Sequence, residues 1–303
     1  MASRFPQQEP TETAMEYKRL GSSSERIPVI GLGTWKYFGG VRPLRAAIAC
    51  GARFIDTAES YGTEEVVGDA LQGQRAQVFL ATKVRPRNFR YRDLIAAAEG
   101  SLRRLRTHYI DLYQLHWPNY TVPIQETMAA METLVDAGKV RFIGVSGFSL
   151  RELEKAQSAL SKCKIVSNQV RYSLIERTIE QDLLNYCQPR HITVIAFSPL
   201  GTNFARIKSS DPQGVLSRVA KEYSKTEAQI ALNWLIAKDN VVVIPRASTT
   251  VHAVEDCRAS GWRLKRADYD LLDAKITYRK RSRFTLAVKP VVKYLYQLTG
   301  RHL

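Results

Sequence analysis

Eight short apolar runs recur along the chain at intervals of roughly 30 residues, the length of a strand followed by a covering helix. They are "VIGLGTW", "RFIDTA", "VFLATKV", "YIDLYQLHW", "VRFIGVSGF", "KIVSNQVRY", "ITVIAFSPL" and "VVVIPRA". Between them lie amphipathic stretches such as "RDLIAAAEGSLRRLRT", "IQETMAAMETLVDAGK" and "GVLSRVAKEYSKTEAQIALNWLIAK". Strands this apolar must be covered on both faces, which calls for a parallel sheet with helices packed against it. Eight such units close into a (β/α)8 barrel, and 303 residues suffice for one such domain with short extensions. An open doubly wound sheet would need a GxGxxG turn after its first strand, and "GLGTWKYFGG" lacks that spacing. Ahead of the first run, "EYKRLGSSSERIP" carries the Ser/Gly turn chemistry of a β-hairpin.

In a barrel the carboxyl ends of the strands converge on one mouth, where active sites sit. Those ends carry Asp56 and Tyr61 after the second run, Lys83 in the third and His116 in the fourth. Singly, each has a structural explanation: a helix cap, turn packing, a rim lysine, a satisfied histidine. On three successive strand ends they make a chemical set. A phenol of pKa about 10 is a poor acid at neutral pH, and a nearby ammonium stabilises its phenolate and lowers that pKa. A buried lysine needs a carboxylate to keep its charge, a role open to Asp56, while His116 can orient a substrate oxygen. Such a set protonates an oxygen that is becoming an alkoxide, as carbonyl reduction requires. No side chain supplies hydride, so a nicotinamide or flavin cofactor is implied.

The sequence resembles the aldo-keto reductases over about residues 16 to 275. "GARFIDTAESYGTEEVVG" is similar to that family's first signature, and "ATKV", "DLYQLHWP", "GKVRFIGVSGF", "SNQVRY", "AFSPLG" and "VIPRASTTVHAVED" follow in the family's order. The resemblance implies a catalytic tetrad of Asp56, Tyr61, Lys83 and His116, with Tyr61 as general acid. It also implies an extended NADP(H) across the barrel mouth. Gly33, Thr34 and Asp56 would lie near the nicotinamide, with Ser146 and Gln169 on its carboxamide and Phe197 stacked on the ring. Ser198 and Leu200 would meet the pyrophosphate, and Arg246 and Ser248 the 2′-phosphate. His252, Glu255 and Asp256 would surround the adenosine.

Four positions depart from the family pattern. Gly147 replaces the asparagine of "GVSNF", Phe197 lacks a tyrosine hydroxyl, Ala247 follows Arg246 in place of serine, and His252 stands where arginine is frequent. Arg246 suits a phosphate dianion as a bidentate partner, which favours NADPH, with NADH also open. Trp35 and Trp117 are the implied walls of an apolar substrate pocket, with Tyr37 and Tyr120 as further candidates. Short loops after the fourth and seventh strands suit small aldehydes, dicarbonyls or keto-sugars.

The expected organisation is a polar tail over 1–16, a barrel over 17–275 and a basic extension over 276–303. Net charge is +16, and residues 275–303 hold eight lysines and arginines and no acid, so half of the excess lies in the tail. That tail either packs on the barrel beside the pocket or forms an interfacial helix touching anionic membrane. No recognised nucleic-acid module accompanies the charge. The four cysteines are scattered, with no metal-ligand spacing, and no apolar leader or spanning run is present, so a cytoplasmic protein with reduced thiols is expected. The reading is an NADPH-dependent carbonyl reductase. The alternative is a non-catalytic subunit that senses NADP(H) state. Oligomeric state and the direction of reaction are not written in the sequence.

Overall fold

The computed structural model describes residues 14–278; the basic tail beyond, with its proposed membrane contact, lies outside the described residues. A two-stranded antiparallel ladder comes first, β1 (Tyr17–Arg19) with β2 (Arg26–Pro28). Eight βα units follow. Their strands are β3 (Leu32–Gly33), β4 (Phe54–Asp56), β5 (Phe79–Val84), β6 (Ile110–Leu115), β7 (Val140–Ser146), β8 (Ile165–Arg171), β9 (Thr193–Phe197) and β10 (Val241–Ile244). The helices between and after them are α1 (Val41–Ala49), α2 (Glu64–Leu71), α3 (Tyr91–Leu105), α4 (Ile124–Asp136), α5 (Leu150–Ser158), α6 (Leu183–Cys187), α7 (Ala205–Ser209), α8 (Val215–Glu222), α9 (Glu227–Ile236), α10 (Thr250–Cys257) and α11 (Arg266–Lys275).

Strands β3 to β10 pair in chain order, every neighbour parallel. The sheet closes on itself where Gly31 N–H donates to Val243 O at 2.8 Å and Gly33 N–H to Pro245 O at 2.9 Å. All eight apolar runs of the sequence supply one strand each. The long stretch after the seventh run is two helices. Ser224 adopts the left-handed region at φ 50°, and Thr226 opens α9 with a capping box completed by Gln229.

Successive strand residues face opposite ways, and the two faces bury different things. Ile55, Leu80, Tyr113 and Val243 point outward into the core under the helices. Phe54, Phe79, Ala81, Leu112, Ile195 and Val242 point inward and fill the barrel with Leu20 and Ile27 of the hairpin. Each such fully buried aliphatic or aromatic side chain contributes about 1.5–3 kcal/mol. The hairpin closes the amino end: Gly21 N–H donates to Thr193 Oγ1 at 2.8 Å, and a Cβ on Gly21 would stand 2.6 Å from Val166 O. With that end plugged, polar side chains facing inward at the last strand positions meet only at the carboxyl end. Among the described residues no helix is long and apolar enough to cross a membrane.

Candidate active site

Strand parity decides which polar groups reach the mouth. Phe54 and Asp56 share one face of β4, Ala81 and Lys83 one face of β5, and Leu112 and Gln114 one face of β6. Lys83 lies opposite Gln114 in the register of β5 and β6. Each strand therefore changes from apolar to polar as it leaves the packed lumen.

The four residues singled out in the sequence come together there. Lys83 is fully buried; its Nζ donates to Asp56 Oδ1 and, at 2.8 Å, to Thr57 O. The other carboxylate oxygen of Asp56 accepts from Gln169 Nε2 at 2.7 Å and from Gln114 Nε2 at 3.1 Å. Lys83 Nζ also lies 4.9 Å from the centre of the Tyr61 ring. The Tyr61 hydroxyl is 3.3 Å from His116 Nε2, and Ser60 Oγ is 3.3 Å from His116 Nδ1. The His116 ring rests against Trp117 with centroids 4.2 Å apart.

These contacts set the protonation states. Burial alone would strip the Lys83 proton, but the Asp56 charge and Tyr61 outweigh it and raise the ammonium above its ordinary pKa. His116 is pushed down to about 2, by burial first and then by the charges of Lys83 and Arg85, so its ring is neutral. Tyr61 corrects an expectation. Lys83 does pull its pKa down, but burial pushes harder, and the net direction is up. The phenol thus holds its proton at neutral pH in the free protein.

Other expected residues fall as follows. Thr34 is buried; its hydroxyl donates to Asp56 O at 3.1 Å and lies 3.0 Å from Thr63 Oγ1, so it braces the strand ends. Gly33 and Ser146 are the last residues of β3 and β7 at the mouth. Phe197 is half-buried with the Arg171 guanidinium over its ring at 5.3 Å. Ser198 takes the left-handed conformation at φ 49°, and the turn it opens is closed by Gly201 N–H donating to Ser198 O. Leu200 turns its side chain to the outer core. Gly147 has φ 67°, and a Cβ there would meet only Trp117 Cβ at 3.8 Å.

Arg246 is exposed, steadied by a 2.9 Å bond to Lys36 O, and Ser248 stands just ahead of α10, whose cap is Thr249. On that helix His252 and Glu255 pair at 3.2 Å. Asp256 does not join them. It is buried with Ala253 and Cys257 on the inner side of α10, its carboxyl pushed well up by burial. Around the mouth, Trp35 is exposed and Trp117 half-buried. Tyr37 is buried against the core and donates to Gly40 O at 2.6 Å. Tyr120 is half-buried and donates to Glu152 of α5. Gln114 and Ser60 belong to the site and were not singled out from the sequence. The inward parity of Gln114 with Leu112 was the signal available for it.

Comparison with known proteins agrees with this geometry. Residues 29–277 match the model of the aldo/keto reductase family. The chain is 38% identical over 271 residues to methylglyoxal reductase YeaE of Escherichia coli, covering 86% of this chain and 95% of that one. It is 33% identical over 254 residues to glyoxal reductase of Bacillus subtilis, covering 82% and 88%. Among solved structures, it resembles an aldo/keto reductase of Klebsiella pneumoniae in complex with NADP and acetate. There the identity is 36% and the TM-score 0.81, over 88% of this chain and 98% of that one. With the strand ends, the closed barrel and a match over most of its length, the chain belongs to the aldo/keto reductase family.

Proposed function

We propose that the protein reduces small aldehydes, dicarbonyls or keto-sugars to alcohols with NADPH, and that Tyr61 supplies the proton. One observation carries the reading: a protonated phenol contacts a neutral imidazole and lies beside a lysine whose charge is guaranteed by Asp56.

The donor set fits NADPH. Arg246 and Ser248 precede the amino end of α10, where backbone N–H groups favour an anion, and they would hold the 2′-phosphate. The turn Ser198–Gly201 would take the pyrophosphate, with the half-exposed Phe197 ring beside the nicotinamide. Ser146 and the carbonyl oxygen of Gln169 would take the carboxamide, since the Gln169 amide nitrogen is committed to Asp56. His252, Glu255 and Asp256 would lie along the adenosine. Bound NADPH supplies the hydride.

The chain's own residues do the rest. A neutral His116 carries one N–H, and if Ser60 donates to Nδ1 that N–H is at Nε2, donating to the Tyr61 oxygen. The Tyr61 proton is then free to point at a carbonyl oxygen in the mouth. As that oxygen gains charge, Tyr61 gives up its proton, and Lys83 stabilises the phenolate left behind. Asp56, fixed by Gln114 and Gln169, keeps Lys83 charged throughout. The relatives' names, methylglyoxal reductase and glyoxal reductase, support the dicarbonyl class. The test is NADPH consumption with a panel of these carbonyls, alongside Tyr61→Phe. Tight NADPH binding without turnover on any of them would favour the cofactor-sensing alternative.

A further inference from the structure

Arg85 is the second charged side chain that β5 delivers to the mouth. It stands directly after the last strand residue, Val84, and is half-buried. Its loop is fixed on both sides. Glu59, in the loop after β4, accepts from the Arg85 backbone N–H and, at 3.0 Å, from Asn88 Nδ2. Asn119, in the loop after β6, donates to Pro86 O at 2.7 Å.

The guanidinium itself is poorly used. Among the described residues its one hydrogen bond runs from Nη2 to Glu59 O at 3.2 Å, and the buried Nε–H finds no acceptor. Among the described residues no carboxylate lies within ion-pair distance of it, whereas the neighbouring Lys83 has Asp56. Glu59 is the nearest candidate, but its oxygens are occupied by the Arg85 backbone and Asn88, and burial raises its pKa toward the neutral form. The guanidinium is close enough to His116 for its charge to oppose protonation of that ring. Nε–H is closed off inside the protein, so what a ligand could meet is the guanidinium's other nitrogens, and a charged fork of N–H groups is matched by a carboxylate.

We propose that Arg85 is a specificity-determining residue that receives the carboxylate of an oxo-acid substrate, whose carbonyl then lies at Tyr61 and His116. The inference rests on the reductase reading and narrows it: among carbonyls of one size, those carrying a carboxylate are preferred. A carboxylate there would give the Arg85 guanidinium the ion-pair partner it lacks among the described residues. Trp117, against His116, adds an apolar ring to the site.

The test uses two matched pairs, glyoxylate with acetaldehyde and 4-oxobutanoate with butanal, on the full-length protein with NADPH. The quantity read is the ratio of kcat/KM for the acid to kcat/KM for its neutral partner. In the wild type the ratio should exceed one for at least one pair. Arg85→Leu should lower it about 10- to 100-fold through KM, as loss of a charge-assisted pair does, and Arg85→Lys should recover part of it. Turnover of the neutral aldehyde reports that each variant is folded. Ratios equal in wild type and Arg85→Leu would overturn the proposal. Binding of the unreactive butanoate, followed by ligand-observed NMR, is read in parallel. If no carbonyl is turned over but butanoate binds the wild type and not Arg85→Leu, the subsite stands and the reductase reading falls. If butanoate binds both equally, or neither, the subsite falls.

Discussion

Lys83 reaches Asp56 and Tyr61 at once: its ammonium donates to the Asp56 carboxylate and lies 4.9 Å from the centre of the Tyr61 ring. The salt bridge is buried on both sides, so it is balanced only while both partners are present. Lys83→Met would leave a carboxylate in the barrel with only the two glutamine amides for company. Loss of about 3–5 kcal/mol of stability is expected, read from urea midpoints, together with loss of turnover. Lys83→Met as stable as the wild type would mean that the pair does not hold the barrel end together.

Tyr61→Phe removes one oxygen and leaves the buried ring, so folding should survive. Turnover should fall about 10²- to 10⁴-fold, the usual contribution of a positioned general acid. NADPH affinity, followed by protein fluorescence, should stay within about twofold, because the NADPH contacts proposed here do not include the hydroxyl. Retained turnover would assign the proton to another group, His116 first.

His116 makes a prediction about pH. Its folded pKa is about 2 and its ordinary value 6.5, so between these the unfolded chain takes up a proton that the folded chain refuses. Stability from this residue is therefore complete above pH 6.5 and is lost as pH falls below it, by about 2 kcal/mol at pH 5. His116→Gln should abolish that part of the slope between pH 7 and pH 5. The same neutrality means that kcat/KM should show no ionisation of His116 near pH 6.5. Stability as steep in His116→Gln as in the wild type would place the titrating group elsewhere.

What the sequence revealed follows from strand parity. Asp56 ends β4, Lys83 is next to last in β5 and His116 directly follows β6, so each polar group interrupts an apolar run where its strand opens to the mouth. Gln114 sits equally inward, yet an amide in "DLYQLHWP" neither titrates nor stands out among its neighbours. Its role appears only when β4 and β6 are brought face to face, 58 residues apart in sequence. Nothing in the sequence separates Arg85 from a solvated rim charge, and only the lack of an ion-pair partner among the described residues marks it out. A family position placed Asp256 at the adenosine, and the helical repeat sets it on the inner side of α10 beside Cys257. Tyr61 was read from one interaction, the ammonium, when burial, the largest influence, and the Asp56 charge oppose it.

Gly147 offers a prediction that separates backbone from side chain. It follows Ser146, has φ 67°, and its N–H donates to Gln169 O at 2.8 Å. Asparagine tolerates this left-handed region far better than a β-branched residue, and the space beside Trp117 is open. Gly147→Asn should therefore fold with stability within about 1 kcal/mol of the wild type. If the carboxamide of NADPH lies against Ser146 and Gln169, the new side chain adds one hydrogen bond to it. NADPH should then bind about fivefold tighter, as a net gain near 1 kcal/mol implies. Gly147→Val tests the backbone alone: its branched Cβ at positive φ should cost more than asparagine does and offers NADPH no hydrogen bond. Tighter binding in both variants would trace to rigidity of the strand end. Tighter binding in Gly147→Asn alone would place the carboxamide beside residue 147, and looser binding there would put the nicotinamide elsewhere in the mouth.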